Sequence, residues 1–387
     1  MTSAVLPSRK DPEGQSLGSS DWEPCPFLHG SPQKNGFLRL NSEGFSPEIF
    51  WSFGPIGFGV FHTGFMPGEK AVLVLGYNRP HTTENVLAAV GEYTPAKLYL
   101  ACDGPKTDNP GDVSKVEAVQ EIMSQPQWDC TVETLFRPEN LGLRVAVTDA
   151  LDWFFEKEEE GIILEDDCVP TPDFFRLAEY CLDTYRGNSQ VWGMTGSNTA
   201  GVTMSKTASY GFAQHPLIWG WASWADRWKK RDYDLSSYPS PMEARLTKNW
   251  PSRDHKHVFF RHLTDMTQTG LPNTWDYPWS WTVMKDRGLW LVPNAQLITN
   301  IGYGDDATNT KGDGPHGPPP VPLGSIIPAA KVEANHMAEE QILIKIHRLR
   351  RPSWKSGVRF TIRYLLSILR RSRVTPTALP GSSRERV

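Results

Sequence analysis

Ala71-Val72-Leu73-Val74-Leu75 is an unbroken apolar run with the length of a strand covered on both faces. It breaks at Gly76-Tyr77-Asn78-Arg79-Pro80, and a helical segment is predicted over about 83–90. The pattern then repeats. A strand is predicted over 97–101, ending at Cys102-Asp103-Gly104. Val113, Val116, Val119, Ile122 and Met123 follow at helical spacing. Residues 131–136 read as a strand, 143–158 as a helix and 161–164 as another strand. The next helix has its start signals in place. Thr171 suits an N-cap and Pro172 the first turn, and Phe174, Leu177, Ala178, Cys181, Leu182 and Tyr185 share one face.

Strands alternating with helices predict an α/β fold with a mostly parallel central sheet flanked by helices. Such sheets bind ligands beyond the carboxyl ends of their strands. The polar groups at those ends are Asn78, Asp103 and the triplet Glu165-Asp166-Asp167.

The remaining chain has a different texture. Residues 1–69 are rich in Gly, Pro and Ser and read as an N-terminal extension, ordered in part by the apolar groups of 45–65. Nine of the 15 tryptophans fall between His215 and Trp290, so that block must use large flat apolar faces. A Gly/Pro-rich linker is read over 311–340, and a basic tail with an amphipathic helix over 341–387.

Charge sharpens this picture. The 387 residues carry a net charge of -4, yet 341–387 holds 12 basic residues and one acid, leaving -15 for the rest. An acidic body speaks against nucleic-acid binding, and the tail suits an anionic partner such as a membrane surface. Five cysteines, odd in number and without Cys-x-x-Cys spacing, read as free thiols of a reducing compartment. With no apolar run of membrane-spanning length and no apolar leader core, a cytoplasmic protein is expected, peripheral at the membrane through its tail.

The triplet is the most informative candidate for chemistry. Adjacent carboxylates repel and need a compensating cation. A hard divalent ion would serve, because Mg²⁺ takes one or two protein carboxylates and fills its shell with water and phosphate. A solvated acidic turn ahead of a helix N-terminus is the plainer alternative. Asp103-Gly104 reads as a nucleoside contact or a simple turn, and Asn140-Leu141-Gly142 is weak by itself. Among the tryptophans of 219–224, core packing competes with stacking on sugar rings, and two or three at most are expected to touch ligand. Asp276, between aromatics, reads as a desolvated general base or as a structural aspartate.

Together, Ala71 to Pro80, Asp103-Gly104, Asn140-Leu141-Gly142, Glu165-Asp166-Asp167, Trp219-Gly220-Trp221 and Trp275-Asp276 resemble a GT-A glycosyltransferase. The sequence is similar to the group of inverting N-acetylglucosaminyltransferases of the type I kind and their bacterial relatives, over residues 70–310. The most specific part is the run from Ile163 to Phe175, with its acidic triplet and Pro172-Asp173-Phe174-Phe175.

The resemblance implies a GT-A nucleotide-diphospho-sugar transferase fold and a set of roles. Asp167 would hold Mn²⁺ or Mg²⁺, Asp166 would meet the ribose, and Glu165 would support the donor. Asp103, Gly104 and Asn140 would lie near the nucleoside, and Asn78 and Arg79 at the first strand end. Trp219, Trp221 and Trp275 would face the acceptor, and Asp276 would be the catalytic base. Related sequences often carry a His after the segment matching Gly302 to Thr308, where this chain has Asn309, so the resemblance leaves this chain either His316 or no residue for that contribution.

The implied reaction moves a sugar from a nucleotide-diphosphate donor to a hydroxyl of a glycan or lipid-linked acceptor, with inversion, in glycan or polysaccharide synthesis. Two alternatives stand beside it: a non-catalytic carbohydrate-binding protein on the same scaffold, and a sugar nucleotidyltransferase. The second favours a Gly-rich phosphate loop, and 76–80 is poor in glycine. A glycosidase would use paired carboxylates but has no need of the nucleotide-type half.

Overall fold

The computed structural model describes residues 68–238, 253–270, 273–303 and 317–346, together with Val358, Ile362, Leu365 and Leu366. The N-terminal extension up to residue 67, Asn309, His316 and most of the basic tail lie outside the described residues. All of the described residues belong to one compact unit, which begins at Thr63.

The first half follows the predicted alternation: β1 (Val72–Gly76), α1 (Pro80–Tyr93), β2 (Lys97–Cys102), α2 (Pro110–Met123), β3 (Thr131–Phe136), α3 (Leu143–Lys157) and β4 (Glu160–Glu165). These four strands pair in parallel in the order β3-β2-β1-β4. Pro80 and Pro110 each sit in a first helical turn, where no backbone N–H is needed.

The second half departs from expectation. It contains β5 (Cys168–Pro170), α4 (Pro172–Tyr185), β6 (Val191–Thr195), β7 (Tyr210–Ala213), β8 (Trp221–Trp224) and α5 (Ala225–Trp228). It continues with α6 (Arg253–Thr269), α7 (Asp276–Lys285), β9 (Leu289–Pro293), β10 (Ile298–Asn300) and α8 (His336–Ile346). The sheet runs β3-β2-β1-β4-β8-β6-β9-β7, with β8 antiparallel to both β4 and β6. Beyond β4 the sheet is mixed, since β6 and β9 pair in parallel while β8 and β7 run antiparallel to their neighbours, and over the whole sheet the parallel pairings remain in the majority. No helix joins β6, β7 and β8, so these strands need not run in one direction.

Side-chain alternation divides the core between the two faces of the sheet. Val72, Val74, Leu98, Leu100, Ile162 and Leu164 pack under α1, α2 and α4. Leu73, Leu75, Tyr99 and Ile163 face α3, α7 and the tryptophans. The predicted face of α4 is buried throughout, with Phe175 added. Its N-cap works differently from the prediction: the Thr171 carbonyl takes the Phe174 N–H at 3.0 Å, while the Thr171 hydroxyl is buried without a partner.

The stretch read as a linker lies, in its described part, against the body. Leu323 donates its N–H to Asp173, Ile327 meets Ser209, and Ala334 bridges to Phe212. The expected boundary at 341 falls inside α8, whose Ala338, Ile342 and Leu343 are buried in the core. Their alternation with polar residues at helical spacing gives α8 an inner face, which is why the body continues past the linker. No helix among the described residues is long and apolar enough to cross a membrane.

Candidate functional site

Parallel register brings the strand ends together: Gly76 of β1 lies beside Cys102 of β2, and Leu75 of β1 beside Glu165 of β4. The loops that follow carry Tyr77 to Arg79, Asp103 and Asp166-Asp167, and they open into one cleft of about 400 Å³. Of the predicted residues, Arg79, Asp103, Asn140, Glu165, Asp166, Asp167 and Trp219 line it.

Arg79 is the charge that makes the triplet tolerable. Its guanidinium forks, Nη2 to Asp166 Oδ1 and Nη1 to Asp167 Oδ2 at 2.8 Å. Burial, then the neighbouring carboxylates, pushes the Glu165 carboxyl above its ordinary range. Burial raises Asp166 as well, with Arg79 opposing. Asp166 Oδ2 is buried in the cleft without a hydrogen-bond partner. Asp167 Oδ1 has only long contacts, from Asn300 Nδ2 and Cys168 Sγ at 3.4 Å.

Asp103 has a structural task. Its Oδ1 accepts the N–H groups of Gly104 and Leu141 at 2.9 Å. Its Oδ2 accepts Asn140 Nδ2 at 2.9 Å and the Gly142 N–H at 3.1 Å. Four donors fill the lone-pair directions of a carboxylate, leaving little for a ribose or base. Burial raises its pKa while these N–H groups oppose the rise. Asp103 therefore builds the 140–142 turn that walls the cleft. Asp103→Asn would turn an amide group toward two of these donors. We expect a loss of about 2 kcal/mol in urea unfolding.

Two predicted residues stand behind the cleft. Asn78 donates to Asp112 Oδ1 at 2.5 Å, and the Tyr77 hydroxyl also donates to Asp112, tying the β1 loop to α2. Gly104 runs so close to the Glu139 backbone that a Cβ would collide with it.

The tryptophans divide clearly. Trp221 is fully buried and stacks on Trp275 at 6.0 Å, with Trp290 at 5.9 Å. Trp221 and Trp275 are both buried in the core and line neither the cleft nor the smaller cavity that shares Trp219 with it, so the acceptor role expected of both is corrected to core packing. Each sits on the inner face of the sheet, where a flat ring fills space between α3 and α7. Trp219 alone of the three is half-buried and lines the cleft. Gly220, at φ +62°, turns the chain from this half-buried position into β8.

Trp219 also lines a second cavity of about 170 Å³, with Asp276, Tyr277, His215, Phe259 and Ile346. Asp276 opens α7, its Oδ1 accepts the Thr274 hydroxyl, and burial raises its pKa. Its charge reaches Glu165 of the larger cleft.

Tyr77, Lys106, Asn273 and Asn300 also line the cleft and were not assigned to a site from sequence, while Gly302 and Tyr303 line it from the segment matched by the resemblance. Antiparallel pairing of β5 with β10 draws Asn300 to Tyr303 over Asp167, and the Ile301 N–H bonds the Asp167 carbonyl at 2.8 Å. A Cβ on Gly302 would strike the Asp167 carboxylate, so only glycine fits there. The one signal in sequence was the glycine itself, because a three-residue strand has no period to detect.

No family model and no curated protein matches the chain. Among solved structures it is similar to HddC from Yersinia pseudotuberculosis, at 9% identity over 44% of this chain and 80% of that one, with a TM-score of 0.26. A CMP:2-keto-3-deoxy-manno-octonic acid synthetase complexed with CTP gives 16% identity, 45% and 80% coverage and a TM-score of 0.26. A 4-diphosphocytidyl-2C-methyl-D-erythritol synthase of Anaerococcus prevotii gives 10% identity, 45% and 79% coverage and a TM-score of 0.28. Fold and site together define an α/β protein with an acidic, arginine-bridged ligand cleft at the carboxyl ends of its parallel strands.

Proposed function

We propose that the chain is a glycosyltransferase of the GT-A type, moving a sugar from a nucleotide-diphosphate donor to an acceptor hydroxyl with inversion. One observation carries this reading: the cleft of the acidic triplet and the cavity of Asp276 adjoin through the single side chain of Trp219. A donor in the first and an acceptor in the second would meet at that ring.

Among the described residues no group of three or more His, Cys, Asp and Glu side chains is gathered into a metal cage. The donor set nonetheless fits a hard ion that takes one or two carboxylates and completes its shell with phosphate and water. Asp167, with Oδ1 weakly engaged, would hold Mn²⁺ or Mg²⁺, and Asp166 Oδ2 lacks a partner that a ribose hydroxyl would supply. Such an ion supplies positive charge to the departing diphosphate. Arg79 and Lys106 add fixed positive charge to the same cleft. Trp219 covers the junction and excludes water. Asp276 takes the acceptor proton.

The test is a thermal-shift screen of sugar nucleotides with and without Mn²⁺, followed by transfer assays. A matching donor at a hundredfold its Kd adds about 2.7 kcal/mol. EDTA is expected to lower transfer at least about tenfold, with Mn²⁺ or Mg²⁺ restoring it. Pyrophosphate release from a nucleoside triphosphate and a sugar phosphate would select the nucleotidyltransferase instead. Sugar binding without turnover would select the non-catalytic scaffold.

A further inference from the structure

We propose that Asn273 is the residue that reads the transferred sugar, its amide bridging two neighbouring free hydroxyls of the ring. This inference rests on the transferase reading and deepens it. The acidic triplet and Asp276 act on the diphosphate and the acceptor, and neither task distinguishes one sugar from another.

Most polar groups of the larger cleft are spent on one another. Asn140 donates to Asp103, Arg79 bridges Asp166 and Asp167, and Asn300 Oδ1 accepts the Gly302 N–H at 2.9 Å. Asn273 differs. Its side chain is exposed, lines the cleft, and has no hydrogen-bond partner among the described residues. A primary amide presents an acceptor oxygen beside two N–H donors, which suits a pair of adjacent hydroxyls.

The position of Asn273 decides which part of a donor it meets. Asp276 follows three residues later, so their Cα atoms are at most about 11 Å apart. Asn273 lines the larger cleft and Asp276 the smaller cavity, so one short loop reaches into both. That loop is held in place: Trp275 is buried against Trp221, and the Thr274 hydroxyl donates to Asp276 Oδ1. In a transfer between the two cavities, the sugar ring is the group bonded first to the diphosphate and then to the acceptor oxygen. An amide this close to Asp276 faces that ring. Gly142, at φ +77°, stands nearby, and a Cβ added to it would lie 3.8 Å from Asn273 Nδ2. With no side chain there, the amide stays open to the cleft.

The full-length protein and Asn273→Ala should be titrated, in Mn²⁺, with UDP, GDP and dTDP and with their glucose, galactose, mannose and N-acetylglucosamine conjugates. For the sugar nucleotide that the wild type binds best, the variant is expected to lose about tenfold in affinity. Binding of the matching nucleoside diphosphate should change less than about twofold, and the preference among sugars on that nucleotide should narrow. The side chain is exposed, so the unfolding midpoint of the free protein should stay unchanged. Undiminished sugar-nucleotide binding overturns the proposal, and so does an equal loss for sugar nucleotide and nucleoside diphosphate. Either result leaves the transferase reading in place. A wild type that binds no sugar nucleotide more tightly than its nucleoside diphosphate, and transfers no sugar, removes both.

Discussion

Asp276→Asn is expected to lower kcat by about a thousandfold, roughly 4 kcal/mol of transition-state stabilisation, while leaving sugar-nucleotide stabilisation intact. The side chain lies in the smaller cavity, whereas the cleft of the acidic triplet is lined by other residues. Asparagine keeps the size of the group and still accepts the Thr274 hydroxyl, so α7 is preserved. Helix stability should fall only by the loss of one charge at the α7 N-terminus, about 0.5 kcal/mol. What disappears is a carboxylate able to take a proton. Burial raises the Asp276 pKa, so the acid limb of the wild-type rate profile should sit above the ordinary aspartate range. On the proposed transferase reading Asp276 works deprotonated, so activity is expected to be lost as pH falls through that value and recovered as pH rises. A variant with full kcat would remove Asp276 from the mechanism.

Trp221→Ala is expected to destabilise the fold by about 4 kcal/mol in urea unfolding. Trp221 lies at the centre of an aromatic cluster, within 6.5 Å, ring to ring, of Trp228, Trp275, Trp279 and Trp290. Its strand, β8, is hydrogen-bonded on both sides, to β4 and to β6, so a cavity there loosens the strand that ends in the acidic triplet. Trp219→Ala, only two residues away, should cost less than about 1.5 kcal/mol, because that ring is half-buried at the mouth of both cavities. Its effect should appear in binding instead. Equal stability losses in the two variants would contradict the division of these tryptophans into core and site.

The acidic triplet was legible as a site because three carboxylates directly follow an apolar run, and water or a cation must then be near. The partner that bridges two of them was not legible: Arg79 is separated from Asp166 by 87 positions and meets it only because β1 and β4 are neighbours. Asp103 was visible as a polar strand end, yet its carboxylate proved to be fully occupied by the 140–142 turn. Burial of seven described tryptophans between Trp221 and Trp290 likewise followed from packing, since an indole looks the same in sequence whether it fills a core or faces a sugar.

By itself, the sequence determined the parallel half of the sheet and its helices, because continuous apolar runs and helical periodicity are local properties written in adjacent residues. It also determined which end of the sheet carries the acidic chemistry, since polar residues follow directly on those runs. Tertiary structure alone decided the mixed half of the sheet, whose strands of four or five residues are too short to show a period. It also decided the fork of Arg79, the covering of Asp167 by Gly302 and the junction of two cavities at Trp219. These depend on contacts between positions far apart in the chain, and such contacts exist only after the whole core has closed.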